Sequence, residues 1–220
     1  LATFRSALDR MNETPGFRFT ASSAALYDWV RRVDPEMFAE IRARVAEGRW
    51  EIAGGWWIEP DCNIPGGESF VRQALYGQRF FKEAFGVTAR VGYAVDSFGH
   101  HAVLPQLLKQ SGLDSYIFMR PGPHEKGLPG RLFWWEAEDG SRVLAFRIPF
   151  SYTSWGHDLE GHIRRCAAEM KPPIDTYMCF YGVGNHGGGP TRENIASIHR
   201  LNADPDAPTL LFSDTDTFFE

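Results

Sequence analysis

Apolar residues recur along this chain at two periods, and the alternation between them sets out the fold. Phe4, Ala7, Leu8 and Met11 fall three and four apart, the spacing of one helical face, and Pro15-Gly16 closes that segment. Phe17-Arg18-Phe19-Thr20 reads as a short strand. A helix is predicted from Pro35, with Met37, Phe38, Ile41 and Val45 on one face and Gly48 as its stop. Trp50 to Ala53 is a predicted strand that opens into Gly54-Gly55 and the stretch Trp56 to Asp61. A long helix is expected from Glu68 to Phe85, carrying Phe70, Leu75, Phe81 and Phe85 and ended by Gly86.

Strands follow at Arg90–Tyr93 and Ser115–Arg120, with a helix over Val103–Leu108 between them. Phe133–Ala137 and Arg142–Phe146 read as a hairpin around the turn Glu138-Asp139-Gly140-Ser141. Thr176–Tyr181 is a predicted strand entering the glycine-rich loop Gly182 to Pro190. Glu193–Leu201 is predicted helical and Thr209–Phe212 a last strand. Strands alternating with helices in this way imply βα units, a parallel sheet and the α/β class. Polar residues gather just after strands, at 59–61, 96, 120 and 185–186. That is the layout of the catalytic rim of a β/α barrel.

Composition narrows the partners. Aromatics make up 14% of the chain, with seven Trp, and rings stacked in sugar sites are one use of such an excess beside packing. A net charge of -5 without a basic cluster argues against nucleic acid and anionic membrane surfaces. No apolar run reaches the roughly 20 residues that span a bilayer. The three cysteines, Cys62, Cys166 and Cys179, share no CxxC spacing. That argues against a disulfide framework or a thiolate zinc site, and for a reducing, cytoplasmic setting. Neither Leu1 nor Glu220 looks like a natural terminus, so the chain is expected to be a piece of a longer polypeptide.

The candidate chemistry sits at the predicted strand ends. Tyr93-Ala94-Val95-Asp96-Ser97-Phe98-Gly99-His100-His101 places a carboxylate at a strand tip before a helix, where α/β enzymes hold catalytic groups. Taken alone, Asp96 also fits a helix cap. Glu59, Asp61, Arg120, Asn185 and His186 end other predicted strands. Carboxylates converging beside an arginine suit acid, nucleophile or metal-ligand work. His100 and His101 are both open as metal ligands. The run Gly187-Gly188-Gly189-Pro190-Thr191 lacks the lysine of a phosphate-binding loop, so its glycines serve close backbone approach instead.

Together, Glu59-Pro60-Asp61-Cys62-Asn63-Ile64-Pro65-Gly66-Gly67-Glu68-Ser69, Val71-Arg72-Gln73, Asp96-Ser97-Phe98-Gly99 and Gly182 through Thr191 resemble the α-mannosidases of glycoside hydrolase family 38, in their bacterial and cytosolic branch. The resemblance implies a seven-stranded β/α barrel and a retaining mannosidase acting on mannosides or oligosaccharides with one divalent cation, usually zinc. By that likeness Asp96 ligates the metal and attacks the anomeric carbon, and Arg120 holds Asp96. Trp57, Glu59 and Asp61 face the sugar, and Tyr152 contacts substrate. A retaining hydrolase needs a nucleophilic carboxylate and an acid roughly 5–5.5 Å apart.

Two departures qualify the likeness. The family carries a metal-binding His-x-Asp pair on its first strand, whereas the first histidine here is His100. The first strand is therefore expected to precede Leu1 and the last metal histidine to follow Glu220, leaving Asp96 as the metal ligand in this chain. A barrel without its first strand exposes sheet edges that invite association, including homo-oligomers. Second, Asn185 stands where relatives often have a proton-donating Asp. An amide cannot fill that role, so His186 or a carboxylate such as Asp61 is the expected acid. The whole chain, 1–220, is expected to be part of an N-terminal catalytic barrel domain. The competing readings are a non-catalytic sugar-binding fragment and another metal-dependent carbohydrate hydrolase, such as a deacetylase.

Overall fold

The computed structural model describes residues 1–154, 158–184 and 188–220. The chain forms two compact units: Leu1–Arg18 with Ile148–Ser213, and Phe19–Arg147 with Asp214–Glu220. The elements in chain order are α1 (Ala2–Glu13), β1 (Phe19–Ala21), α2 (Ala24–Val33), α3 (Pro35–Ala46), β2 (Trp50–Ile52), α4 (Gly67–Phe85), β3 (Val91–Ala94), α5 (Leu104–Gln110), β4 (Ser115–Phe118), β5 (Leu132–Glu136), β6 (Arg142–Arg147), α6 (Glu160–Ala168), α7 (Arg192–Asn202) and α8 (Thr215–Phe219). The α/β class holds.

The unit built from Phe19–Arg147 carries the sheets. β1 pairs parallel with β2, and a second sheet has the order β3-β4-β6-β5, with β3, β4 and β6 parallel and β5 antiparallel to β6. A backbone bond links the two sheets: the Gly54 N–H donates to the Val91 carbonyl at 2.8 Å. The described residues thus show two sheets and no closed seven-stranded barrel. The predicted hairpin is present. Between the sheets and helices lie Trp56, Phe70, Leu104, Leu108, Tyr116, Phe118 and Val143, all buried.

Local sequence explains the helices here. Asp34 accepts the Met37 N–H at 2.9 Å and Pro35 opens α3, a capped start. α4 ends on Gly86 at φ 77, the left-handed conformation that glycine adopts without steric penalty. Its inward stripe is Phe70, Ala74, Gly77 and Phe81, and Leu75 is 57% exposed rather than inward. The stripe follows i, i+4, i+7 and i+11, and Leu75 sits one residue past Ala74, turned out to water. Gly77 is fixed by contact, because a Cβ there would lie 2.4 Å from the Trp56 carbonyl carbon. α2 escaped the sequence reading although Tyr27 and Val30 are buried on one face. Ser23 stands at its N-cap, where serine is a start signal, but it takes φ 70 and makes no side-chain cap bond.

In the other unit, α1 buries Phe4, Ala7, Leu8 and Met11 as its spacing predicts. α6 was not foreseen. α7 opens on a capping box between Thr191 and Asn194. Neither Thr176–Tyr181 nor Thr209–Phe212 is a strand. Side chains take the place of a neighbouring strand: His162 Nε2 meets the Phe180 carbonyl at 2.8 Å, and the Asn202 amide bonds both the Leu210 N–H (2.9 Å) and its carbonyl (2.8 Å). The rest of these half-exposed segments can bond to water, so no ladder is required.

Candidate active site

Three loops leave the C-terminal ends of β2, β3 and β4 and are tied together around Asp96. The Glu59 N–H donates to Ser23 Oγ at 3.1 Å, and Ser97 Oγ donates to the Pro60 carbonyl at 2.8 Å. The His101 N–H reaches the Cys62 carbonyl at 3.0 Å. Cys62 is fully buried, with its Sγ 3.6 Å from both the Pro60 carbonyl and Ser97 Oγ. Gly99 sits at φ 131, and a Cβ there would fall 2.2 Å from Asn63 Nδ2. It is the backbone angle, more than that flexible side-chain contact, that calls for glycine here.

Within this frame Asp96 is held from two sides. Glu59 Oε1 accepts the Asp96 backbone N–H at 3.0 Å, and Arg120 Nε donates to Asp96 Oδ1 at 3.4 Å. The Arg120 guanidinium also lies 4.5 Å over the ring of Phe98, which is 74% exposed. The two ion-pair side chains keep 39% and 49% of their surface, so the pair stands open to solvent. The structure therefore brings Glu59, Asp96 and Arg120 together.

Glu59 and Asp61, two residues apart, are driven in opposite directions. Burial raises Glu59 to about 7, with the Asp96 charge adding and the Asp96 N–H opposing. Asp61 is lowered by N–H donation from Ile64 and Asn63, whose bonds to its Oδ1 measure 2.9 and 2.8 Å. Asp61 Oδ1 thus serves a tight turn. Trp57 is half-buried and meets Phe80 edge-on at 5.9 Å.

The two histidines left open by the sequence separate. His100 Nε2 lies 2.6 Å from the Arg120 carbonyl and Nδ1 lies 2.8 Å from the Tyr116 hydroxyl, with Phe118 and Trp135 edge-on around the ring. Burial lowers its pKa. His100 thus braces the Asp96 turn against the Arg120 segment. His101 is exposed and accepts the Val103 N–H at 3.2 Å. Ser23, Ser97 and Tyr116 also build the site and were not singled out. Their signal was faint, since a buried hydroxyl at a loop start or inside a strand has no motif of its own.

Tyr152 belongs to the unit containing Ile148–Ser213 and is half-buried. Asn185 and His186 lie outside the described residues. Beside them, Val183 and Gly189 form an antiparallel bridge, and a Cβ at Gly182 would come within 3.1 Å of Gly189. These glycines bring backbone against backbone. Among the described residues, Asp96 joins no group of three His, Cys, Asp or Glu close enough to share an ion. The described residues alone do not complete a zinc set. A cavity of about 170 Å³ opens at the opposite, N-terminal ends of β3, β4 and β6, beside Arg90, Asp114 and Asp216, away from this site.

Comparison with known proteins bears on this geometry. Residues 1–220 match the profile of "Glycosyl hydrolases family 38 N-terminal domain". Alpha-mannosidase G of Dictyostelium discoideum is 34% identical over 99% of this chain and 20% of its own length. The alpha-mannosidase of Saccharomyces cerevisiae is 33% identical over 88% of this chain and 18% of its own length. The chain therefore spans about a fifth of the length of these curated relatives. A solved alpha-mannosidase from Enterococcus faecalis V583 superposes with a TM-score of 0.83 at 19% identity, covering 99% of this chain and 26% of that one. At that identity the likeness concerns the fold.

Proposed function

The chain belongs to glycosyl hydrolase family 38, and from that premise we propose that it forms part of the N-terminal catalytic domain of a retaining α-mannosidase that removes terminal α-mannosyl residues from mannosides or oligosaccharides. The observation that carries this reading is Asp96, open to solvent, paired with Arg120 and backed by Glu59. Family membership sets aside a separate deacetylase.

Asp96 attacks the anomeric carbon as the glycosidic C–O bond breaks, forming a glycosyl ester. The departing oxygen takes its proton from Glu59, the carboxyl of this loop that holds a proton near neutrality. Water then gives a proton to Glu59, attacks the same carbon and frees the Asp96 carboxylate. A carboxyl raised by burial, as Glu59 is, supplies the proton-holding half of such a division of roles. Arg120 keeps the Asp96 side chain aimed, and the half-buried Trp57 offers a ring face to the sugar.

The cation expected from the family likeness would rest on Asp96 and would polarise sugar hydroxyls when bound. Among the described residues Asp96 has no two partners close enough to complete such a set. We also read the two sheets as an arc of the seven-stranded barrel, supported by the Gly54–Val91 bond that carries one sheet into the next. The described structure holds no helix long and apolar enough to cross a membrane. Three free thiols favour the reducing cytoplasm as its setting.

Proton NMR of an aryl α-mannoside treated with the full-length enzyme tests the reading. The first-formed mannose is expected to be the α-anomer. An initial β-anomer would overturn retention, and no hydrolysis would overturn the activity itself.

A further inference from the structure

α6 sets His162 and Cys166 four residues apart, so both side chains leave the same face of the helix. Cys179, on the extended stretch 176–181, comes to meet them. The ligating atoms of the three residues lie within 4.8 Å of one another, and Cys166 Sγ is 3.9 Å from His162 Nε2. A zinc–thiolate bond of about 2.3 Å and a zinc–imidazole bond of about 2.1 Å at a tetrahedral angle hold sulfur and nitrogen ~3.6 Å apart. The observed spacing needs only a small closure to meet that. Among the described residues, no other trio of His, Cys, Asp or Glu comes so close.

The surroundings fit a held ion. Cys166 and His162 are 2% and 9% exposed, and Cys179 is half-buried. Leu159, Ile163, Ile198 and Leu201 make the apolar wall behind them. Nothing in the mannosidase reading uses these three side chains. The cysteines lie far apart in the sequence without a CxxC pair, and it is the turn of α6 and the returning strand-like segment that gather them. The expectation against a thiolate zinc site rested on sequence spacing alone, which does not register this grouping.

We propose that His162, Cys166 and Cys179 form a three-ligand site for zinc, with its fourth position open to water or another exogenous ligand. Two sulfurs and one imidazole select a borderline-soft ion over magnesium, calcium or manganese. Loading has a definite proton balance. A carbonyl only accepts, so His162 Nε2 carries the hydrogen given to the Phe180 carbonyl at 2.8 Å. Zinc takes the place of that N–H hydrogen, which the neutral ring then carries on Nδ1, and the thiol protons of Cys166 and Cys179 pass to solvent as the thiolates bind. A Cys166–Cys179 disulfide is the competing fate of the pair, but it would leave His162 without a part.

Cobalt(II) separates this site from any cation at Asp96, because only thiolate ligands give a sulfur-to-cobalt charge-transfer band in the near ultraviolet. Reduced, metal-free full-length protein is titrated with cobalt and then with zinc. A saturable band that zinc abolishes, and that Cys166→Ser and Cys179→Ser each remove, is the expected result. No band in the wild type overturns the proposal, and that arm needs no variant to fold. A band that persists in both serine variants overturns it as well, as does mass spectrometry showing that the reduced pair goes directly to a disulfide in the presence of zinc. His162→Gln, checked for native circular dichroism, is expected to keep a weaker band with shifted visible transitions. An unchanged spectrum there would remove His162 from the set and overturn the three-ligand site.

Discussion

The two ends of the parallel strands carry similar ingredients to different effect. At the C-terminal end, burial and the Asp96 charge raise Glu59 to about 7, with Arg120 close by. At the other end, burial and the Glu51 charge raise Asp216 to about 6, with Arg90 opposing. The difference lies in the partner carboxylate. Glu51 is closed in: its Oε1 accepts the Thr215 hydroxyl at 2.5 Å and the Asp216 N–H at 2.9 Å, and its Oε2 accepts Thr20 Oγ1 at 2.5 Å. Asp96 keeps about half of its side-chain surface, at 49%. A raised carboxyl is therefore a poor marker by itself. It marks chemistry where the neighbouring charge is held in place yet left reachable.

Substitutions can break or sharpen this contrast. Asp96→Asn in the full-length enzyme is expected to lower kcat/KM by ~1000-fold or more, about 4 kcal/mol of transition-state stabilisation. Steady-state kinetics retaining more than about a tenth of the wild-type rate would remove Asp96 as nucleophile. Glu59→Gln keeps an acceptor for the Asp96 N–H but has no proton to give. It should lose ~100-fold in kcat while its melting temperature rises, since a buried carboxyl is replaced by an amide. A faster enzyme, or one with an unaltered rate, would return the acid role to the 185–186 segment.

Arg120→Met should lose ~10-fold in kcat with little change in stability, because an open ion pair contributes at most about 1 kcal/mol. A collapse of the fold on calorimetry would make Arg120 structural instead. Asp216→Asn is the matching change at the far end, and the rate should not move. Its stability effect has a sign fixed by linkage. An Asp raised from 3.8 to about 6 favours the fold when protonated, and that contribution is lost as pH rises through about 6. The amide should gain about 1 kcal/mol near pH 8, discounted for partial exposure, and nothing near pH 4. Denaturant melts showing the opposite trend would refute the burial of Asp216.

How far the sequence was legible follows from the kind of signal involved. Pro35, Gly86 and the Glu138–Ser141 turn announce themselves because proline, glycine and turn residues act locally. Asp96 and Glu59 were found because strand ends collect function. The segments 176–181 and 209–212 misled because strand-like alternation says nothing about whether a partner strand exists. There a side chain, His162 or Asn202, bonds one residue of each segment in place of a strand. The opposite fates of Glu59 and Asp61 were likewise hidden. Which carboxyl is buried and which receives backbone N–H groups is decided by the loop's tertiary course, and neither can be read from a Glu-Pro-Asp string.

The Gly54–Val91 hydrogen bond joins two sheets that otherwise share no ladder. In the language of exchange, a seam without a ladder opens independently of the ladders on either side, so the Gly54 amide should take up deuterium well before the paired amides of β4 and β6. That amide is a natural gauge of how often β2, with its loop to Glu59, parts from β3, which delivers Asp96.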